Sequence, residues 1–185
     1  MSKSSFAPKV SICSQVLNQS EWMREMIQSV VAQTFRNWEL LIVDDGSTQD
    51  LKAVIDTFND KRIRYFRFDE NKGVPHGTNY AARQAKGKYV SFLAADEYLE
   101  KDKLKVQVAY MDANPQVDCS WGLPGETEAP PTGGWPLGQR PEWEQYALRA
   151  HNRSRYAWMR TLLNLEGVPL GSCSMLMKRE VMDAL

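Results

Sequence analysis

The chain has 185 residues, of which 43% are hydrophobic and 25% charged, enough for one ordinary globular core. Lys plus Arg and Asp plus Glu each total 23, so no net charge draws the chain to nucleic acid or to an anionic membrane. Cys13, Cys119 and Cys173 are odd in number and far apart, which argues against a disulfide framework or a zinc site and predicts buried thiols.

Val10-Ser11-Ile12-Cys13-Ser14 is a short β-rich run. Asn18, with Glu21 three residues on, has the spacing of a helix N-cap with a reciprocal box. Met23, Met26, Ile27, Val30 and Val31 then form one apolar helix face, which reads as core packing. Leu40-Leu41-Ile42-Val43 is continuously apolar, as in a strand buried on both faces of a parallel sheet, and it stops at Asp44-Asp45-Gly46-Ser47-Thr48. Leu51, Val54, Ile55 and Phe58 mark a second helix, and the mixed apolar and basic run 63–68 predicts a strand near a sheet edge. A helix over 75–86 ending at Gly87, a buried strand over 89–93, a helix over 102–114 and a strand over 117–121 follow.

This alternation predicts a mostly parallel, three-layer α/β/α sheet of Rossmann-like type. Residues 122–141 are rich in Gly and Pro and predict a long loop excursion, and 142–163 read as helical. No stretch approaches the ~18 apolar residues of a membrane span. Residues 1–9 have no apolar signal-peptide core, so a cytoplasmic chain is expected, at the cytoplasmic face of a membrane if the parent protein is anchored elsewhere.

Ligands of open parallel sheets bind beyond the carboxyl ends of the strands, where strand order reverses. Two such ends are acidic here, Asp44-Asp45 and Asp96-Glu97. Carboxylates can face a diphosphate only through a bridging cation, and oxygen ligands with phosphate suit Mg²⁺ or Mn²⁺. Each pair alone is equally what a turn or a helix cap requires; the two together point to a site. His76 at a helix start, His151 among arginines, and Trp121, Trp135 and Trp143 read as capping, solvated or packing residues. A receiver-like phosphoryl-transfer domain is disfavoured, since no lysine or threonine falls at the strand ends it would use.

Pro8-Lys9-Val10-Ser11-Ile12, Asn18, Ser29-Val30-Val31-Ala32-Gln33-Thr34-Phe35 and Trp38-Glu39-Leu40-Leu41-Ile42-Val43-Asp44-Asp45-Gly46-Ser47-Thr48 together resemble family 2 glycosyltransferases of the GT-A fold. The similarity continues through Glu70-Asn71-Lys72-Gly73-Val74, Ala85-Lys86-Gly87-Lys88-Tyr89-Val90 and Phe92-Leu93, over about residues 8–115. It implies one GT-A-like domain over 1–185: a nucleotide-binding half over 8–121, then the excursion and the start of a sugar and acceptor half over 122–185, incomplete at its C-terminus. It implies inverting transfer of a sugar from a nucleoside diphosphate, UDP by preference, to a saccharide or other hydroxyl acceptor. The alternative is a silent or truncated nucleotide-sugar-binding module.

The resemblance also implies roles for single residues. Asp45, with Asp44, would hold the base; Gln15 and Leu17 stand where the family has proline and tyrosine; Lys72, Gly73 and Ala95 would border the nucleotide. Asp96, assisted by Glu97, would hold the metal, although Ala94 replaces the first Asp of the family's metal motif. Residues 167–180 resemble the family's later strand and helix. No residue matches the acidic base that would deprotonate the acceptor, so the catalytic base is expected from sequence beyond this chain.

Overall fold

The computed structural model describes residues 7–121 and 174–183, which belong to one compact unit. Strands β1 (Val10–Val16), β2 (Trp38–Asp44), β3 (Ile63–Arg67), β4 (Tyr89–Phe92), β5 (Cys119–Trp121) and β6 (Met175–Lys178) form one sheet in the order β3-β2-β1-β4-β6-β5. The first four are parallel; β6 runs antiparallel to both β4 and β5. The helices are α1 (Ser20–Val31), α2 (Leu51–Asp56), α3 (Val74–Gln84), α4 (Lys103–Ala113) and the short α5 (Arg179–Met182).

Side chains of the central strands alternate between two cores. Val10, Ile12, Val16, Leu40 and Ile42 pack on Met23, Met26, Ile27 and Val30 of α1, Leu51 and Ile55 of α2, and Leu104, Val108 and Met111 of α4. On the other face Cys13, Leu41, Val43 and Val90 meet Ala81 and Ala85 at α3. Each fully buried side chain of this size contributes about 1.5–3 kcal/mol. The register of Val10 on Trp38 through Val16 on Asp44 is therefore fixed, because a slip of one residue would exchange the faces. Strand order grows from β1 through β2 to β3, then resumes on the other side of β1 with β4. The reversal lies between β1 and β4, and α3, which spans it, sits on the face opposite α1 and α2.

Buried Cys13 and partly buried Cys119 form no disulfide. Burial, then the nearby charge of Glu39, pushes the Cys13 thiol up to about 12, so it stays protonated. The expected loop over 122–141, the helix over 142–163, Trp135, Trp143, His151, Cys173 and the run from 167 to 173 lie outside the described residues. No helix among the described residues is long and apolar enough to cross a membrane.

Three local expectations are corrected. Asn18 does not cap α1: Gln19 holds the N-cap position without a side-chain bond, and Asn18 has a left-handed backbone, φ 54°. Its side chain is taken by the turn after β2, described below. Helix α3 ends at Gln84, with Ala85 extended, so Gly87 is not its left-handed terminator. Gly87 answers a close approach instead: a Cβ there would lie 2.6 Å from the Ser11 amide nitrogen and 2.8 Å from the Val10 carbonyl carbon. The last strand of the series starts at Cys119 rather than Val117, which packs on the core edge.

The Gly87 contact belongs to a polar node at the amino ends of the strands. Glu39 is 3% exposed, accepts from Ser11 Oγ at 2.6 Å and Lys86 N at 2.7 Å, and pairs with Arg64 at 2.8 Å. Ser11 Oγ in turn accepts from Gly87 N at 2.8 Å. Gly87→Ala is expected to cost about 1–3 kcal/mol by forcing backbone apart at this node. A urea midpoint equal to that of the parent chain would contradict the close approach.

Candidate functional site

The carboxyl ends of β1, β2 and β4 lie along one edge of the sheet, and the two acidic clusters sit there. Asp44 and Asp45 are both 0% exposed, yet their carboxylates do different things. Asp44 Oδ1 accepts from Ser47 N at 2.8 Å; Oδ2 accepts from the Tyr65 hydroxyl at 2.6 Å and Arg67 Nη1 at 3.0 Å. Arg67 also donates to Ser47 O at 2.8 Å, so the turn is laced to β3 from both sides. With its oxygens committed in this way, Asp44 organises the turn. Burial first, and then the bond to Asp44, push the Tyr65 hydroxyl up to about 12.

Among the described residues the Asp45 carboxylate is held by neutral donors alone. Oδ1 accepts from Lys72 N at 2.8 Å; Oδ2 accepts from Gly73 N at 3.0 Å and from Gln15 Nε2 at 3.1 Å. The loop bearing Lys72 and Gly73 is pressed onto the turn at Gly46, φ 79°, where a Cβ would lie 2.7 Å from the Glu70 carbonyl carbon. Gly73, at φ 86°, supplies the second left-handed bend. On the opposite side, Asn18 Oδ1 accepts from Thr48 N at 2.8 Å and Thr48 Oγ1 at 3.0 Å, and Asn18 N donates to Ser47 Oγ at 3.0 Å. The structure thus brings together Gln15, Asp45, Lys72 and Gly73. Leu17 stands half-buried between β1 and the Asn18 clasp.

The second cluster follows β4. Asp96 is exposed, and no hydrogen bond or ion pair engages its carboxylate among the described residues. Glu97 is partly spent: its Oε2 accepts from Ala94 N at 2.9 Å and closes the turn. Ala94 is exposed and its side chain carries no ligating atom, while Ala95, 1% exposed, packs into the core. Among the described residues no group of three His, Cys, Asp or Glu could enclose a metal ion. The donor set therefore fits a cation held by one protein carboxylate and completed by a phosphate-bearing ligand and water, and does not fit a cation caged by protein.

Gln33, Tyr65 and Arg67 brace the two clusters, a role that the sequence alone assigned to none of them. Gln33, fully buried, donates to Glu100 O at 2.7 Å and accepts from Leu104 N at 3.1 Å, tying α1 to the segment after Asp96 and to the start of α4. Tyr65 and Arg67 were legible as residues of a strand near a sheet edge, but their bonds to Asp44 were not. His76, exposed, sets its ring edge against Phe68 at 5.4 Å and takes no part in either cluster.

The family model for glycosyl transferase family 2 matches residues 11–182. The chain belongs to glycosyl transferase family 2. It is 42% identical over 107 residues to an uncharacterized glycosyltransferase of Rickettsia felis, a stretch covering 57% of this chain and 18% of that protein. It is 34% identical over 106 residues to the putative teichuronic acid biosynthesis glycosyltransferase TuaG of Bacillus subtilis, covering 56% of this chain and 42% of TuaG. Among solved structures, the S. aureus TarS 1-349 complex with UDP-GlcNAc is similar at a TM-score of 0.57 and 28% identity, over 60% of this chain and 33% of that one. The match thus spans less than half the length of each relative. The sheet order and helix placement are those of the GT-A, Rossmann-like fold expected for a family 2 glycosyltransferase.

The Asp44–Tyr65 bond makes a pH-dependent prediction. The folded hydroxyl titrates higher than the unfolded one, so its contribution is complete below about pH 10 and is lost as pH rises through the folded value of about 12. Tyr65→Phe should lower stability by about 1–2 kcal/mol at neutral pH. Urea unfolding of both proteins should show that difference shrinking as the pH is raised through this window.

Proposed function

We propose that this chain is the donor-binding portion of an inverting glycosyltransferase that moves a sugar from a nucleoside diphosphate, UDP in the first instance, to a hydroxyl of a saccharide or similar acceptor. The observation that carries the reading is the buried Asp45 carboxylate, fixed by Lys72 N, Gly73 N and Gln15 Nε2 at the carboxyl edge of the sheet, beside the reversal of strand order. A carboxylate held by dipoles without a cation keeps its charge available to a ring N–H of a nucleobase. Support comes from two relatives: TarS is seen with UDP-GlcNAc, and TuaG is named for teichuronic acid biosynthesis, which favours a role in building a surface polysaccharide.

Within this reading Asp45 orients the base, Lys72 and Gly73 border it through their peptide groups, and Leu17 supplies apolar surface near it. Asp44 holds the turn rather than the ligand. Asp96 is the residue that would hold Mg²⁺ or Mn²⁺ together with the donor, and Glu97 shapes the turn that presents it. Such a cation would neutralise charge developing on the departing diphosphate. The general base for the acceptor hydroxyl is assigned to none of the described residues. Ala94 favours a second reading, a nucleotide-sugar-binding module without transfer, because an alanine there leaves the donor and cation with one carboxylate fewer.

Calorimetric titration of the chain with UDP and UDP-sugars, with and without Mn²⁺, tests both readings. Asp45→Ala should weaken UDP about 10- to 100-fold, the range for a hydrogen bond to a charged group, whether or not the cation is present. Asp96→Ala should abolish only the increment that Mn²⁺ adds. Absence of nucleotide binding by the unmutated chain would overturn both readings, whereas binding without hydrolysis or transfer selects the second.

A further inference from the structure

We propose that Gln15 is the specificity-determining residue of this site, standing on Asp45 in place of a base and selecting bases that offer a ring N–H beside a carbonyl. The inference rests on the reading that Asp45 receives the base.

Asp45 is 0% exposed, so a ligand can reach its carboxylate only if one of the three donors withdraws. Two of those donors are peptide groups, Lys72 N and Gly73 N, fixed by the loop pressed onto Gly46. The third, Gln15 Nε2 at 3.1 Å, sits on a half-buried side chain that can turn about its own torsions. No other group among the described residues bonds to the Gln15 carboxamide, so its Oε1 and second N–H are uncommitted.

The position of this side chain is built into the fold from a second element. Gly77 lies in the first turn of α3, and glycine is a poorer helix former than alanine. Its left-handed freedom is unused there; space is what it provides. A Cβ on Gly77 would lie 2.5 Å from Gln15 Cγ and 3.3 Å from Gln15 Cβ. A glycine in a helix, matched atom for atom to a glutamine whose amide caps the base-binding carboxylate, couples α3 to the Asp45 pocket.

The exchange then has a definite chemistry. The ring N–H of the base takes the place of Gln15 Nε2 on Asp45, and the displaced amide N–H needs a new acceptor, since an unpaired donor in a partly buried site is costly. A carbonyl adjacent to the ring N–H supplies it. Uracil presents such a pair, as does the larger guanine; cytosine and adenine carry a lone pair at the corresponding ring nitrogen.

Calorimetry of the full chain with UDP, 2-thio-UDP and 4-thio-UDP at mildly acidic pH tests the proposal, because sulfur accepts hydrogen bonds weakly. The unmutated chain is expected to bind one of the two thio analogues about 5- to 10-fold more weakly than UDP, the equivalent of one neutral hydrogen bond. Gln15→Ala should bind UDP and that analogue alike. Gly77→Ala, which keeps the amide but displaces it, should lose the preference too, with circular dichroism and thermal unfolding verifying that both variants fold. A preference that persists unchanged in Gln15→Ala, or no preference in the unmutated chain, overturns the role of Gln15 alone. Failure of the unmutated chain to bind UDP overturns the donor-binding reading, and this inference with it.

Discussion

A carboxylate with no exposure must find all its partners inside the protein, and Asp44 is the point at which this requirement orders the rest of the site. Its three partners come from the turn (Ser47 N) and from β3 (Tyr65 and Arg67), so strand β3 is locked in register to the end of β2 by charge as well as by the ladder. Once that turn is set, the next residue has no freedom left. Asp45 N continues the ladder to Val16 O at 2.9 Å, and its side chain is aimed across the sheet toward Gln15 and the 72–73 loop. Two adjacent acids therefore differ in their partners, one closing the scaffold on β3 and the other held by Gln15 and the 72–73 loop.

Polar groups do comparable work at two other places. At the amino ends of the strands, Glu39 joins Ser11, Arg64 and the Lys86–Gly87 peptide, holding the end of the connection to β4 against β1. Beside β4, Gln33, just past the end of α1, reaches the backbone of Glu100 and Leu104, so the segment that presents Asp96 is anchored at its far end though exposed at its tip. Rigid supports with an uncommitted carboxylate at the tip are what a site completed by its ligand requires.

The architecture was legible because periodicity reports burial. The continuous run Leu40 to Val43 and the spaced Met23, Met26, Ile27 and Val30 could pack in only one way, and they do. The edge position of β3 was legible in the alternation of Ile63 to Arg67 for the same reason. What stayed hidden were bonds between residues distant in sequence. Asn18 looks like a helix cap because its spacing to Glu21 suits one, but a partner thirty positions on, Thr48, takes its side chain. Gly87 looks like a helix terminator, yet the neighbour that demands glycine is Ser11 on β1. The different partners of Asp44 and Asp45 were hidden too: Tyr65 and Arg67 are brought alongside Asp44 by strand pairing, and Gln15, Lys72 and Gly73 alongside Asp45. The motif resemblance pointed to the two acidic turns, and the three-dimensional contacts show what each of their side chains is bonded to.

The antiparallel strand β6 has a consequence for how the sheet is assembled. It is inserted between β4 and β5, pairing Val90 with Met177 on one side and Cys119 with Met177 on the other. Among the described residues, strand β5 thus has no strand neighbour in the sheet except one made more than fifty residues later in the chain. During synthesis, β1 to β4 can pair in order of emergence, while the outer edge of β4 waits with its peptide groups unpaired. Such an edge is a template for other chains. The half of the sheet that carries Asp45 is thus complete in sequence by residue 92, whereas the seam beside β4 is closed by a strand that lies beyond residue 173.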